Sequence, residues 1–326
     1  MLFLILIAAT SAAPEPLRTF GDWTVGCDNI QHCKAMALEP EDPSDSDASI
    51  LSVERGGLRD AQPHLVLDLR SDETATAIVV DGHAERIRLS PEGYLTVADP
   101  LRLARRIEQA RRIEIANGAG KIISRVSAKG ASAALRWMDT QQRRARTSSA
   151  IAAVGPKAFT GVPVTLPVVR SAKPSRTKGT ARLTSKQIEA MRSEYECGSD
   201  DDVQGREVKY GRLDSATTLA LIPCLVGAYQ MSSVAILISN AGHYRRPMLE
   251  FSEQEQPNHL TEPEFDPRTL QLSSTYKGRG IGDCGGTDAW VWSGALFRLI
   301  YRNRMDECRG TGDRITVWRT ASHPEL

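Results

Sequence analysis

Beyond its first residues, the sequence lacks any apolar run long enough to cross a membrane. No later stretch approaches the ~18 apolar residues that a spanning helix requires. The signatures of several enzyme classes are also missing: the G-x-S-x-G of serine hydrolases, the H-E-x-x-H of zinc proteases and the phosphate-binding P-loop. The sequence therefore contains no pattern that assigns it to one of these enzyme classes, and we expect no cofactor.

Residues 1–12 have the outline of a secretion signal. An apolar run from Leu2 to Ala9 gives way to small residues before Pro14, and a signal peptidase recognises this order. No Lys or Arg precedes the run, and a buried N-terminal strand is the alternative interpretation. We expect cleavage after Ala12. No cysteine follows the apolar run to carry a lipid anchor. The mature protein is therefore predicted to be periplasmic or secreted, with no transmembrane segment.

The six cysteines are expected to form three disulfide bonds. Their number is even, they fall into three groups along the chain, and no C-x-x-C motif is present. A metal site or a reactive thiol is the alternative, but an oxidising compartment would oxidise the thiols. Many pairings are possible for six cysteines, and local clustering favours Cys27–Cys33, Cys197–Cys224 and Cys284–Cys308.

The charges are segregated along the chain, although the formal net charge is only +1. Residues 102–186 contain 19 basic and 3 acidic residues, whereas the segments on either side are net negative. Four prolines mark residues 148–181 as an extended linker. After a signal peptide at residues 1–12, we therefore expect an N-terminal α+β domain at 13–147, this linker, and a C-terminal β-rich domain at 182–326.

Hydrophobic periodicity predicts an α+β fold that is mainly antiparallel β-sheet, with a few short helices and two domains. Short alternating runs between turn residues are typical of strands, and the Asp-Gly dipeptide at residues 81–82 is the strongest hairpin signal. Helical spacing follows Pro100, and residues 131–146 form a second predicted helix that ends in three arginines. Thr184 and Gln187 make a capping box for a third helix.

Several stretches together resemble a secreted bacterial family. The first is Phe20-Gly-Asp-Trp-Thr-Val-Gly-Cys-Asp-Asn29, followed by Cys33. The later ones are residues 279–286, Val291-Trp-Ser-Gly294, Phe297-Arg-Leu299 and Met305-Asp-Glu-Cys-Arg-Gly310, with Pro223-Cys224 and Gly227-Ala-Tyr229. They resemble the family catalogued as domain of unknown function 1176. This resemblance implies export and disulfide bonds, and it supplies no catalytic residues.

The first half is also similar to the invasion-associated locus B family. The similarity lies in the W-x-x-x-C opening, which ends at Cys27, and in Ser127-Ala-Lys-Gly-Ala-Ser-Ala-Ala-Leu135 before a predicted helix.

Few side chains are candidates for catalysis or metal binding. Ser175-Arg-Thr-Lys178 matches the S-x-x-K of penicillin-recognising enzymes, but it lies in the predicted linker, where it lacks a helix and a pocket. The six histidines are scattered, and the acidic runs at 41–47 and 200–202 lack the pattern of a calcium-binding loop. We interpret both acidic runs as solvated loops.

Two features near the last disulfide allow a functional interpretation. Carboxylates that could support acid–base catalysis are Asp283, Asp288 and Glu307, although turns closed by a bridge also contain such residues. The alternating aromatic residues Trp290, Trp292 and Phe297 fit either an aromatic binding face or a half-buried strand, and we favour the core.

The basic segment offers the most distinct candidate site. Its six candidate anion-binding residues lie in or near predicted helices: Arg105, Arg106, Arg112, Arg143, Arg144 and Arg146. We expect them to face an anionic envelope component such as lipid headgroups, lipopolysaccharide or an acidic protein, because an exported protein does not meet nucleic acid. The alternative is neutralisation by the acidic segments of the same chain. The sequence favours a non-catalytic binding or structural module over a hydrolase of envelope polymers.

Overall fold

The structure, a computed structural model, describes residues 14–41, 48–162, 165–175, 179–198, 203, 205–252 and 259–324. The predicted signal peptide lies outside these residues, as do most of the acidic run at 41–47, the acidic run at 200–202 and Lys178. Within the part of the chain that the structure describes, no helix is both long enough and apolar enough to cross a membrane.

The N-terminal half begins with a five-stranded antiparallel sheet in which each strand pairs with the next. Its strands are β1 (Arg18–Phe20), β2 (Trp23–Cys27), β3 (Cys33–Ala37), β4 (Ile50–Arg55) and β5 (His64–Asp68). A chain that returns through short turns pairs neighbouring strands in this way.

A second, four-stranded antiparallel sheet follows, with the order β11-β10-β6-β7, together with a small β8-β9 pair. Its elements in chain order are β6 (Ala77–Val80), β7 (His83–Arg86), β8 (Arg88–Leu89), β9 (Leu95–Thr96), α1 (Pro100–Gln109), β10 (Ile113–Ala116), β11 (Ile122–Val126) and α2 (Ala131–Gln141). The predicted Asp-Gly hairpin connects β6 and β7, and β11 lies at the sheet edge.

The two helices pack on one shared core of the N-terminal half. Leu103 and Ile107 of α1 and Leu135 of α2 are fully buried with Trp23 of β2. The indole N–H of Trp23 donates to the carbonyl of Ser127 at 2.8 Å, so its polar group is also satisfied. Helix α2 packs on strands β1 to β3 of the first sheet. The hydrogen bond from Trp23 also ties the segment before α2 to β2.

The second helix is shorter than the predicted range of residues 131–146. It ends at Gln141, and Arg143 and Arg146 adopt left-handed backbone conformations with φ of 56° and 66°. The N–H groups of Arg144 and Ala145 both donate to the carbonyl of Asp139, which ends the helical hydrogen-bond pattern. The three arginines therefore do not continue one helix face.

The described residues of the C-terminal half include two five-stranded antiparallel sheets, an α-helix and a parallel two-stranded pair. Its elements are β12 (Val168–Ser171), α3 (Ser185–Glu194), β13 (Lys209–Arg212), β14 (Thr217–Val226), β15 (Met231–Ser239), β16 (Tyr244–Arg245), β17 (His259–Thr261), β18 (Glu264–Asp266), β19 (Gln271–Lys277), β20 (Gly285–Trp292), β21 (Phe297–Met305), β22 (Ile315–Arg319) and β23 (Ala321–Pro324). Strands β13 to β17 form one sheet and β18 to β22 the other, while β12 pairs with β23. The capping box of Thr184 and Gln187 is present at α3.

The alternating aromatic residues of this half belong to its core, as we expected. Trp290, Trp292 and Phe297 are at most 1% exposed. The Trp290 indole donates to the carbonyl of Glu250 at 2.9 Å, and the Trp292 indole donates to the carboxylate of Asp214 at 3.2 Å. The predicted fold class is thus confirmed: mainly antiparallel sheet with three short helices in the described residues, in several sheets.

All six cysteines are paired in the combination that local clustering favoured. Cys27–Cys33 connects β2 to β3, Cys197–Cys224 connects the segment after α3 to β14, and Cys284–Cys308 joins the segments on either side of the β20–β21 hairpin. Disulfides of this kind point to an oxidising, extracytoplasmic compartment.

The last disulfide lies where the two halves meet. Cys284, Cys308 and Met305 pack against Met36 and Leu38 of the N-terminal half in one small buried cluster. The next residue, Arg309, donates to the carbonyls of Glu39 and Gly21 and forms an ion pair with Asp22 at 2.5 Å.

Two further charged contacts connect the two halves; we call this region of contact the joint. Asp28 pairs with Arg319 of β22 at 2.5 Å, and Lys34 of β3 pairs with Asp313. Burial disfavours the charge on Lys34, but its ion pairs with Asp313 and Glu54 outweigh that effect and raise its pKa. Strand β2 lies directly against β22 between these contacts.

The segment predicted as a linker makes specific contacts where it is described. Its start is held by the N-terminal half: the N–H of Ile151 donates to Asp139 at 2.9 Å, and Ile151 is buried. Further along, β12 pairs in parallel with β23. The division into two domains at residues 148–181 stays a prediction.

We predict that the Cys284–Cys308 bond supports both local stability and the joint. The double variant Cys284→Ser/Cys308→Ser should lose about 3 kcal/mol of unfolding free energy, because it opens a loop closed by a bridge. It should also speed hydrogen exchange at the Glu39 amide, which donates to the Arg309 carbonyl across the joint at 3.3 Å. Urea denaturation and amide exchange would measure the two effects.

The matched control is Cys197→Ser/Cys224→Ser. Its sequence separation of 27 is close to the 24 of the Cys284–Cys308 pair, so the loss of stability should be similar. Because this bond lies within the C-terminal half, exchange at Glu39 should not change. Equal exchange at Glu39 in both variants would contradict a role of Cys284–Cys308 in the joint.

Candidate anion-binding groove

Two of the three carboxylates considered for catalysis, Asp283 and Asp288, are each paired with arginine side chains. Asp283 accepts from Arg279 Nε at 2.6 Å and from the N–H of Gly310 at 3.0 Å, and the hydrogen bond from Arg279 lowers the pKa of Asp283. Asp288 is bound by the buried Arg302 at 2.8 Å and by Arg304. The lowered pKa of Asp283 disfavours a role as a general acid.

Metal binding finds no support in the geometry. Within the described residues, no group of three or more His, Cys, Asp and Glu side chains is placed to hold a metal ion.

The two candidate arginines of helix α1 bind groups of the protein itself. Arg105 donates to the carbonyls of Ala150 and Ser148 at 3.0 and 2.6 Å. Arg106 donates to the carbonyls of Val80 and His83 and lies 3.4 Å from the carboxylate of Glu85. Both side chains therefore fasten α1 to neighbouring segments.

Arg144 is buried, so the expectation that it faces a partner is wrong. It is 0% exposed, and its guanidinium donates to the carbonyls of Gly56 and Leu58 and to the hydroxyl of Ser149. Burial lowers the pKa of Arg144, the negative charge of Asp139 opposes this effect, and the resulting pKa is about 10. The guanidinium therefore remains charged at neutral pH. The helix ends before this residue, and this turns the side chain inward.

The remaining three arginines are exposed but do not form one surface patch. Arg143 and Arg146 lie in the turns after α2, whereas Arg112 lies before β10. Of the six, only Arg112 lines the basic groove described next.

A basic groove of about 770 Å³ runs along the edge strand β11. Its walls come from the segment before β10, from β11 and the residues after it, and from Ala48 and Asp22 of the first sheet. Five exposed cationic side chains line it: Arg70, Arg111, Arg112, Arg125 and Lys129. The β10–β11 hairpin creates this arrangement, because antiparallel pairing sets the residues before β10 beside those after β11.

The far wall of the groove is fixed by a close backbone approach. Gly130 has a φ of 101°, and the carbonyl of Phe20 lies where a β-carbon would stand, so glycine alone fits there. The preceding Lys129 is also held, since its carbonyl accepts from the N–H of Asp22 at 2.8 Å. The cationic side chains therefore project from a fixed backbone.

Internal partners neutralise only part of this positive charge. Arg112 and Arg125 share one buried carboxylate, Glu114, at 3.4 and 3.8 Å, and Arg70 lies 3.4 Å from Asp68. Within the described residues, the side chains of Arg111 and Lys129 form no ion pair. The acidic residues of the wall are Glu41 and Asp22, and the charge of Asp22 is already balanced by Arg309. Counted over the described residues, the groove has a surplus of positive charge.

Sequence reasoning missed four of the five cations for an identifiable reason. Arg70, Arg111, Arg125 and Lys129 are dispersed in sequence, and runs of adjacent arginines drew attention to other positions. The register of the β10–β11 hairpin, which places Arg125 opposite Glu114, brings several of them together. The contribution of Arg70 depends on how two sheets pack, which no local pattern specifies.

Comparisons with known proteins agree with the resemblance found in the sequence. Residues 17–321 match the family described as "Protein of unknown function (DUF1176)". The chain is 27% identical to the "Uncharacterized protein YpfG" of Escherichia coli strain K12 over 356 residues, covering 98% of each protein. A crystal structure of invasion associated protein B from Bartonella henselae aligns with 40% of this chain and 99% of its own, at 17% identity and a TM-score of 0.28.

The fold and the site define a class of protein: a disulfide-bonded protein of antiparallel sheets that carries a basic groove. Because the family match extends over nearly the whole chain, the protein belongs to the DUF1176 family.

We predict that Arg144 stabilises the fold, whereas its neighbour Arg143 does not. Arg144→Ala should lower the unfolding free energy by about 3 kcal/mol, because it leaves buried carbonyls without donors and removes a charge facing Asp139. Arg143→Ala removes the same charge from an exposed side chain and should change stability by less than about 0.5 kcal/mol. Urea denaturation of both variants tests this, and equal losses would contradict the structural role.

Proposed function

We propose that the protein is exported to the bacterial envelope, to the periplasm or beyond, and acts there as a non-catalytic binding module for a phosphorylated anionic component. The observation that carries the proposal is the groove along β11, where five cationic side chains exceed their internal acidic partners. The three disulfides support export, since such bonds persist in oxidising compartments. Export also removes nucleic acid as a ligand.

Phosphate is the anion that this groove favours. Four of its five cations are arginines, and a guanidinium can donate two parallel hydrogen bonds to a phosphate or carboxylate. A groove that collects several such side chains suits a group with more than one phosphate, as occurs in lipid and lipopolysaccharide headgroups. Arg112 and Arg125, which share Glu114, are positioned to exchange part of that pairing for a ligand.

The competing enzymatic function has weaker support. A hydrolase of envelope polymers would require a carboxylate with a raised pKa near a second carboxylate, and Asp283 and Asp288 are both paired with arginines. An acidic protein remains a second kind of binding partner, and the test below would reveal it by a lack of phosphate binding.

Neutralisation within the chain is the other account of the basic groove. Glu41 lies at its wall, and Asp42, Asp45 and Asp47 follow in the sequence. If these acids occupied the groove, an added anion would bind only after their replacement. A variant with Asp42→Asn, Asp45→Asn and Asp47→Asn separates the two accounts.

We predict that the mature, oxidised protein binds inositol hexakisphosphate, used here as a soluble polyphosphate probe. Isothermal titration calorimetry should show binding that weakens steeply with added salt, because exposed charges are screened within about 8 Å at physiological ionic strength. The double variant Arg112→Ala/Arg125→Ala should bind at least about ten-fold more weakly, since it removes two charge-assisted contacts.

The matched control is Arg143→Ala/Arg146→Ala, which removes the same charge from exposed positions outside the groove. Its affinity should stay within about two-fold of the unaltered protein. Equal weakening in both double variants would mean that net charge alone attracts the probe. Binding that arises only in the triple Asn variant would favour internal neutralisation over the proposed function.

A further inference from the structure

Two neighbouring loops of the C-terminal half expose a group of apolar side chains. One is the end of the β14–β15 hairpin with Leu225, Val226 and Tyr229, and the other is the β19–β20 loop with Ile281. We call these four residues the apolar tip. Ile281 is 78% exposed, Tyr229 45%, Leu225 44% and Val226 37%. Single exposed apolar residues need no explanation, whereas several on two neighbouring loops are a candidate contact surface.

The apolar tip is held together by specific hydrogen bonds. The hydroxyl of Tyr229 donates to the carbonyl of Gly278 at 3.3 Å, and the N–H of Lys277 donates to the side chain of Gln230 at 3.0 Å. The β19–β20 loop is also closed by the N–H of Gly278, which donates to the carbonyl of Cys284 at 3.0 Å. The apolar side chains are therefore presented on an ordered frame.

A short chain of contacts connects the apolar tip to the basic groove. Asp283, two residues after Ile281, accepts from the N–H of Gly310, and the carbonyl of Gly310 accepts from Arg70. Arg70 is one of the five groove cations. Lys277 adds an exposed cation at the base of the tip. The loop that carries Ile281 is thus joined to one groove residue by two hydrogen bonds, and Lys277 places a cation on the same loop.

We propose that the apolar tip inserts into the headgroup region of an anionic lipid bilayer, beside a groove that binds the lipid phosphates. The inference rests on the proposed function for its electrostatic part. Ile, Leu and Val gain by leaving water, and Tyr favours the membrane–water interface because its ring is apolar and its hydroxyl polar. Cations near the surface add attraction to anionic lipids, and this combination favours a bilayer over a soluble ligand.

The test is flotation of the mature protein with vesicles of phosphatidylglycerol and of phosphatidylcholine. The unaltered protein should bind phosphatidylglycerol vesicles more strongly. Ile281→Ser should reduce that binding about ten-fold, since it removes one well-exposed aliphatic side chain from the lipid contact. Its affinity for inositol hexakisphosphate should not change, because Ile281 does not line the groove.

Met248→Ser is the matched control, because Met248 is also an exposed apolar side chain, at 64% exposure. It lies far from Ile281: its carbonyl accepts from the N–H of Phe297 at the turn of the β20–β21 hairpin, whereas Ile281 lies before the open end of that hairpin. If the protein does not bind vesicles, or if both variants lose binding equally, the apolar tip does not insert into the bilayer. The proposed groove would still stand in that case, provided that the soluble probe binds. Vesicle binding that depends on Ile281 without any binding of the soluble probe would instead overturn the proposed groove and retain the tip.

Discussion

The ion pair between Asp22 and Arg309 is the contact on which the arrangement of the whole molecule depends. Asp22 lies in the turn between β1 and β2, where its carboxylate also accepts from the hydroxyl of Ser127 at 2.7 Å. The carbonyl of Ser127 holds the indole of Trp23, and the carbonyl of Asp22 accepts from Leu38. One residue therefore joins the first sheet, the end of the groove strand and the C-terminal half.

The joint between the halves is built from charged groups at its margin and apolar groups at its centre. Ion pairs removed from water gain little net stability, because desolvation offsets the attraction, but a wrongly placed partner leaves a buried charge uncompensated. Asp22, Asp28 and Lys34 consequently select one orientation of the halves, while Met36 and Leu38 contribute the apolar contact with the Cys284–Cys308 bond. This orientation brings the groove and the apolar tip together.

Local chemistry made the disulfides, the capping box of α3 and the buried aromatic residues predictable from the sequence. Each follows from residue type and from spacing along the chain: cysteines in clusters, Thr and Gln three residues apart, and aromatic residues alternating along a strand. The fate of the arginines was less predictable, because Arg144 becomes a buried donor only after Asp139 ends the helix and the segment around Ser149 closes over it. The groove depends on sheet packing and strand register, so its cations are adjacent in space while remaining scattered in sequence.

The order of the joint residues along the chain has a consequence for folding during synthesis. Arg309, Asp313 and Arg319 all follow β21, whereas their partners lie before β4. Because a chain is made from its N-terminus, Asp22, Asp28 and Lys34 emerge from the ribosome long before those partners. The N-terminal half must therefore remain hydrated at this surface until synthesis is nearly finished, and its charged groups keep it compatible with water during that interval.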